Sequence, residues 1–132
     1  MNPLVGALTR LGVSFWGSRV LEVRGRKSGA PRRVPVNPIS VGGSRFLVAP
    51  RGHTHWVRNL REAREGYLLL GSRREHFTAT EIGDAEKEDV LRAYLGRWKW
   101  EVGQFFDGVG PDSPSGEFTR IASDHPVFRL SA

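Results

Sequence analysis

Residues 20–36 read VLEVRGRKSGAPRRVPV, and this stretch decides how the first half of the chain folds. Residues 20–24 alternate loosely between apolar and polar side chains, which is typical of a β-strand. Serine, glycine and proline follow as turn formers, and an extended pattern resumes at residues 33–36. The stretch therefore predicts a strand, a turn and a second strand. Pro35 and Pro38 make the second strand an edge strand or an irregular one, because proline cannot donate a ladder hydrogen bond.

The turn of this hairpin is strongly basic. Residues 24–33, called the basic hairpin below, contain five cations and two glycines but no acid. Cations at the tip and on the returning strand can converge on one anion, and glycines let backbone N–H groups approach the same oxygens. A solvated hairpin tip with an ordinary excess of arginine explains the same residues, so the pattern alone leaves both interpretations open.

The rest of the chain predicts further strands and helices around this hairpin. Strands are expected over residues 45–49, 67–70, 76–82 and 127–130, and helices over residues 3–16, 54–63 and 84–105. Thr54 is a suitable N-cap, and acids cluster at the start of the last helix, where the helix dipole favours them. Residues 107–117 have the composition of a loop. About six strands interrupted by helices indicate an α+β fold with a small barrel.

Length and charge limit the classes of function. The chain has 132 residues, enough for about one domain, and carries a net charge of +6. Residues 1–61 have a charge balance of +10, whereas residues 62–132 have a balance of −4. The chain has no cysteine, which excludes disulfides and thiolate metal sites. It has neither a membrane-length apolar run nor the pattern of a signal peptide, so a cytoplasmic protein is expected.

A second basic group surrounds the start of the middle helix. It comprises Arg51, His53, His55, Arg58 and Arg61. A helix N-terminus itself attracts anions, so two cationic elements beside one helix suit a phosphorylated small molecule. No carboxylate or cysteine lies at ligand spacing from the two histidines, and we therefore expect no metal. Residues 17–45 contain no aromatic side chain for base stacking, which favours a small molecule over nucleic acid.

These motifs, taken in order, resemble one known family. They are Gly25-Arg26-Lys27-Ser28-Gly29, Pro31-Arg32, Pro35-Val36, Phe46-Leu47-Val48-Ala49, and Trp56 with Asn59 and Leu60. The sequence is similar here to the deazaflavin-dependent nitroreductases, whose relatives include F420H2-dependent quinone reductases. The resemblance implies a split β-barrel akin to FMN-binding reductases, formed as a single domain by residues 1–132 with a helical segment over residues 1–18. It implies coenzyme F420 as the cofactor.

The resemblance also assigns candidate site residues. It implies that the coenzyme is bound by Arg26, Lys27, Ser28, Arg32, Arg33, Ala49, Pro50, Arg51, Trp56 and Asn59. It implies an acceptor pocket formed by Phe15, Trp16, Tyr94, Trp98 and Trp100. Tyr94 is additionally a candidate proton donor. The family's loop before Trp56 is compressed here to residues 51–55, so the resemblance supports coenzyme binding better than any particular substrate.

The implied reaction is hydride transfer from the reduced deazaflavin to a conjugated acceptor, such as a quinone, an enone or a nitroaromatic. The protein then supplies position and electrostatics, and no side-chain nucleophile is needed. The alternative is a non-catalytic member of the same fold that binds a flavin such as FMN, or a lipid. The sequence also leaves open a homodimer and a peripheral membrane contact through residues 4–16.

Overall fold

The computed structural model describes residues 17–132, which form one curled antiparallel sheet with helices on both faces. The seven strands lie in the order β2-β1-β5-β6-β7-β4-β3. Their bounds are Arg19–Arg24 (β1), Pro31–Val36 (β2), Ile39–Val41 (β3), Ser44–Val48 (β4), Glu65–Leu70 (β5), Arg73–Glu81 (β6) and Val127–Ser131 (β7). The sheet is the open half-barrel of a split-barrel fold, as the sequence predicts.

Strands β1 and β2 form the hairpin that the sequence predicts. Leu21 lies opposite Val34, and Glu22 lies opposite Arg33. At the tip, the Gly25 N–H donates a 2.8 Å hydrogen bond to the Ala30 carbonyl, which closes the turn. Strand β2 is the first strand of the sheet and is therefore an edge strand, which explains how a strand can accommodate proline.

Three helices pack on this sheet: His55–Ala63 (α1), Glu88–Val102 (α2) and Ser115–Ile121 (α3). Helix α1 buries Val57 and Leu60 in a core shared with Leu21 and Leu68, which belong to β1 and β5. Helices α2 and α3 form a second core on the opposite side. Strand β4 belongs to both cores, because its successive side chains alternate between the two faces.

Two elements were missing from the sequence prediction, and several boundaries differ by a few residues, most of all that of the late helix. Strand β3 was not predicted, and neither was helix α3, whose first three residues lie at the end of the loop expected over residues 107–117. The late helix does not begin at Asp84, because residues Asp84–Glu86 form a 3₁₀ turn that precedes α2. The helix expected over residues 3–16 lies outside the described residues.

Candidate functional site

The first cavity opens between the basic hairpin and the N-terminus of α1, with a volume of about 550 Å³. We call it cavity 1. It is lined by Val23, Gly25, Arg26, Lys27, Ser28, Arg32, Arg33, Val34, Thr54, His55, Trp56 and Asn59. The fold therefore brings together two sequence motifs that are about 30 residues apart, and it joins most of the residues expected to bind the coenzyme.

Cavity 1 is positively charged, but its cations are not equivalent. Four of its lining residues are cations and none is an acid. Lys27 and Arg32 are exposed, and their side chains make no hydrogen bond or ion pair within residues 17–132. Arg32 lies opposite Val23 across the hairpin, so it shares the face of the sheet that carries α1. These two cations are the ones in the lining that can contact a ligand without losing a protein partner.

Arg26 instead joins the basic hairpin to α1. The Oδ1 atom of Asn59 accepts hydrogen bonds from the Arg26 backbone N–H at 3.1 Å and from its Nη1 at 2.8 Å. A third contact links Arg26 Nη2 to His55 Nδ1 at 3.3 Å. Asn59 is 4% exposed, so its buried side-chain oxygen needs the hydrogen bonds that Arg26 donates. Arg26 and Asn59 therefore fix the shape of the cavity wall.

Arg33 belongs to an ion-pair cluster on the outer face of the sheet. Its guanidinium lies 2.9 Å from a carboxylate oxygen of Glu22, and Arg74 contacts the other oxygen at 3.0 Å. The hydrogen bond from Arg74, with help from Arg33, holds the pKa of Glu22 below its usual value. Because Glu22 is largely buried, it competes with any ligand for the charge of Arg33.

Thr54 occupies the N-cap position of α1 but does not cap the helix. Its backbone is extended, as an N-cap requires, yet its side chain makes no capping hydrogen bond. The Thr54 Oγ1 atom is buried and has no partner within residues 17–132. Thr54 therefore holds the N-cap position that the sequence predicts, without a side-chain capping bond. The first N–H groups of α1 are left to other acceptors, next to an unsatisfied hydroxyl group.

A second cavity of about 530 Å³, called cavity 2, lies on the other side of Thr54. It is lined by Pro50, Arg51, Gly52, Thr54, Phe105, Asp107, Ile121, Asp124 and His125. Pro50 and Arg51 thus reach this cavity, whereas Ala49 lines neither. The Ala49 N–H donates to the Pro126 carbonyl at 2.9 Å, and its own carbonyl lies 3.0 Å from His125 Nδ1.

His125 was not recognised in the sequence analysis. It is 4% exposed, and its ring stacks on Phe106 with centroids 4.1 Å apart. Burial lowers the pKa of the His125 imidazole. The available signal was a lone histidine directly before an apolar strand, at residues 125–130.

The late helix places the three described residues of the expected acceptor pocket in different surroundings. Tyr94 and Trp98 are each 1% exposed and lie in the core beneath α2, and neither lines a cavity described above. Burial raises the pKa of the Tyr94 phenol, which makes it a poor source of protons. Trp100 is 65% exposed. Phe15 and Trp16 lie outside the described residues.

Two further properties concern residues 17–132 only. No cluster of three or more metal-binding side chains occurs among them. None of their helices combines the length and the apolar character needed to cross a membrane.

Comparison with known proteins adds a family and a fold. The model of the F420H(2)-dependent quinone reductase family matches residues 6–99, well over half of the chain. None of the curated proteins matches the sequence. Among solved structures, an F420-H2 dependent reductase, FDR-A, superposes with a TM-score of 0.61 at 20% identity, covering 87% of this chain and 94% of that one.

Two other solved structures share the fold. A domain-swapped dimer superposes with a TM-score of 0.58 at 20% identity, covering 87% of this chain and 80% of that one. A putative pyridoxamine 5'-phosphate oxidase from Listeria innocua gives a TM-score of 0.53 at 10% identity, with 87% and 82% covered. At these identities the superpositions show the split-barrel fold alone.

Proposed function

The chain belongs to the F420H(2)-dependent quinone reductase family, and from that premise we propose that cavity 1 holds the phosphate and acidic tail of coenzyme F420. The observation that carries the proposal is the pair Lys27 and Arg32. Both are cations that have no hydrogen-bond or ion-pair partner among residues 17–132, in a lining that contains no acid. A polyanion would satisfy them without displacing an existing ion pair.

The residues of cavity 1 fit such a group in two further ways. The first N–H groups of α1 have no side-chain cap from Thr54 and offer donors to phosphate oxygens. The Gly29 backbone has a positive φ of 78°, and a Cβ there would meet no atom within 4 Å, so the hairpin tip is open on that side. A phosphate and a carboxylate tail therefore find donors on both walls.

Each group in the wall has a separate task in this proposal. Lys27 and Arg32 bind the anion, and the Ser28 hydroxyl shapes the turn by accepting a 3.2 Å hydrogen bond from the Ala30 N–H. Arg26 and Asn59 hold the hairpin against α1. When bound, the reduced deazaflavin supplies a hydride, and the protein positions it beside the acceptor and excludes water.

The acceptor class belongs to the proposal as well. We expect a conjugated, electron-poor molecule, with quinones first, and enones and nitroaromatics as the other candidates. Binding is tested by titrating the purified chain with coenzyme and following its fluorescence, with FMN titrated in parallel. Saturation at micromolar F420 with weaker FMN binding is expected. Saturation by FMN alone would replace the coenzyme assignment.

Turnover is tested separately from binding. Oxidation of the reduced coenzyme is followed by absorbance with a panel of quinones, enones and nitroaromatics. We expect quinone-dependent oxidation well above the rate without protein. Tight coenzyme binding with no oxidation across the whole panel would instead indicate a binding protein.

Self-association is a further part of the proposal. The domain-swapped dimer among the fold neighbours supports a homodimer of this chain. Light scattering of the eluted protein should give the mass of two chains. A mass of one chain across the accessible concentration range would remove the homodimer.

A further inference from the structure

Cavity 2 differs from cavity 1 in charge. Its lining contains one cation, Arg51, and two carboxylates, Asp107 and Asp124. Arg120 contacts the Asp107 carboxylate at 2.6 Å, so one of these acids is already neutralised. The lining therefore offers no surplus of positive charge. No net positive charge attracts a polyanion into cavity 2, whereas a neutral molecule binds there without an electrostatic penalty.

His125 lines this cavity, and one of its two ring nitrogens is unpaired among residues 17–132. The Ala49 carbonyl can only accept, so the 3.0 Å contact requires the proton to be on His125 Nδ1. In the neutral imidazole, Nε2 then carries the lone pair, and it makes no hydrogen bond within residues 17–132. Stacking on Phe106 fixes the orientation of the ring. A ligand that offers a donor such as a hydroxyl group can form a hydrogen bond to this nitrogen.

The remaining wall suits a flat ring. The Arg51 guanidinium lies over the Phe105 ring, 4.7 Å from its centroid. Pro50 and Ile121 add apolar surface to the same cavity. Planar aromatic molecules stack on guanidinium and phenyl faces and bury apolar area in such a setting.

We propose that cavity 2 is a binding site for a neutral planar aromatic molecule that carries a hydroxyl group, with the hydroxyl donating to His125 Nε2. The proposal rests on the proposed function, since reduction of a quinone-type acceptor gives a product that carries such a hydroxyl group. It implies that the hydroxylated partner of a quinone-type couple binds this site better than a molecule whose oxygens only accept.

The charged groups around His125 set the pH dependence of this contact. Asp124 favours the imidazolium, while Lys87 and His53 oppose it, and burial opposes it most. Arg51 and Asp107 complete the charges of the cavity. His125 Nε2 is therefore unprotonated at neutral pH and can accept a hydrogen bond. As the pH falls and His125 takes a proton, Nε2 becomes a donor and the preference for a hydroxyl group is lost.

The experiment compares 2-naphthol with 2-methoxynaphthalene, which has the same ring but no hydroxyl donor. Calorimetric titration of the full chain at pH 7.5 should show 2-naphthol binding about fivefold to tenfold more tightly, as expected for one hydrogen bond to a buried acceptor. His125→Asn keeps an N–H for Ala49 but removes Nε2, and it should abolish the difference. His76→Asn, an exposed histidine paired with Glu65, should leave it intact. Equal affinity of the wild-type chain for both probes would overturn the proposal.

A second measurement needs no variant and covers the case in which His125→Asn does not fold. The ¹⁵N resonance of His125 Nε2 should move on addition of 2-naphthol and stay in place with the methyl ether. A resonance that 2-naphthol does not move would overturn the proposal. Displacement of bound 2-naphthol by the coenzyme would also overturn it, because the second reactant must bind beside the coenzyme.

The two proposals fail separately. Replacing Lys27 and Arg32 with alanine should weaken coenzyme binding strongly while 2-naphthol binds as before. A chain that binds 2-naphthol through His125 but binds no coenzyme would refute the proposed function and leave the site in cavity 2 standing.

Discussion

The sharpest prediction concerns Lys27→Ala combined with Arg32→Ala. Neither side chain has a hydrogen-bond or ion-pair partner within residues 17–132, so removing them breaks no polar contact in the described part of the protein. Folding and thermal stability should therefore change little. Coenzyme affinity should fall, because both cations line the cavity that is proposed to hold its anionic part.

The size of the loss follows from the exposure of the two cations. A hydrogen bond to a charged group contributes about 1.5–3 kcal/mol. Solvent screening reduces this for exposed side chains, so we expect roughly 1–2 kcal/mol for each cation. Together they give roughly 2–4 kcal/mol, which corresponds to a Kd increase of about 30-fold to 900-fold.

The assay is fluorescence titration at two salt concentrations, with a variant of equal charge as the control. Arg73→Ala with Arg129→Ala removes two exposed arginines that line neither cavity. This control should change Kd by less than about threefold, because dissolved salt screens the attraction between the coenzyme and charges outside the cavity. Raising NaCl from about 50 to 500 mM should weaken wild-type binding more than binding by the Lys27 and Arg32 double variant. Equal losses in the two double variants would show that overall charge, rather than cavity 1, attracts the coenzyme.

Three further predictions test the supports of the site. Asn59→Ala removes both hydrogen bonds that Arg26 donates to Asn59, so we expect a loss of about 1–3 kcal/mol of stability in urea unfolding and weaker coenzyme binding. Unchanged values in both assays would show that Asn59 does not hold the hairpin against α1. The pKa of Glu22 is lowered in the folded state, so its contribution to stability is present above the ordinary glutamate pKa and is lost as the pH falls. Glu22→Gln should therefore cost more stability at pH 7 than at pH 3.5. Equal losses at the two pH values would show that the charge of Glu22 does not stabilise the fold. Gly66→Ala would place a Cβ 2.8 Å from a backbone oxygen and should cost about 1–3 kcal/mol of stability in thermal unfolding. Gly116→Ala, which has open space around it in α3, should instead stabilise the protein by up to about 1 kcal/mol. Similar effects of the two variants would refute the packing argument.

The fold could be predicted from sequence wherever local signals were strong. The hairpin of residues 20–36 has alternation and turn formers, and it was placed correctly. Strand β3 was missed because its three residues lie between a proline and a glycine turn and show no period. Helix α3 was missed because Pro114 and Gly116 suggest a loop, while burial of Phe118 and Ile121 against the second core stabilises the helix. That support is tertiary and leaves no local signal.

The site was predicted less completely, for two physical reasons. The cations of the basic hairpin were treated as one group, although alternation along β2 separates Arg32 from Arg33, which pairs with Glu22 across the strands. The contact of His125 with Ala49 joins residues 76 positions apart, and no periodicity encodes it. Sequence spacing placed Tyr94 on the apolar face of its helix but gave no indication that this face was the core rather than a pocket.

The unequal charge of the two halves of the chain has a structural counterpart in the two cavities. All residues that line cavity 1 lie between residues 23 and 59, within the basic half, whereas cavity 2 takes five of its nine from residues 105–125. The cavities meet at Thr54, which lines both. Hydride transfer requires two reactants in contact. Of the two adjoining cavities, cavity 1 suits a polyanion and cavity 2 does not. In the proposed reaction the charge pattern would therefore keep the coenzyme's tail out of the second site, so that a neutral acceptor competes with water for that site rather than with the coenzyme.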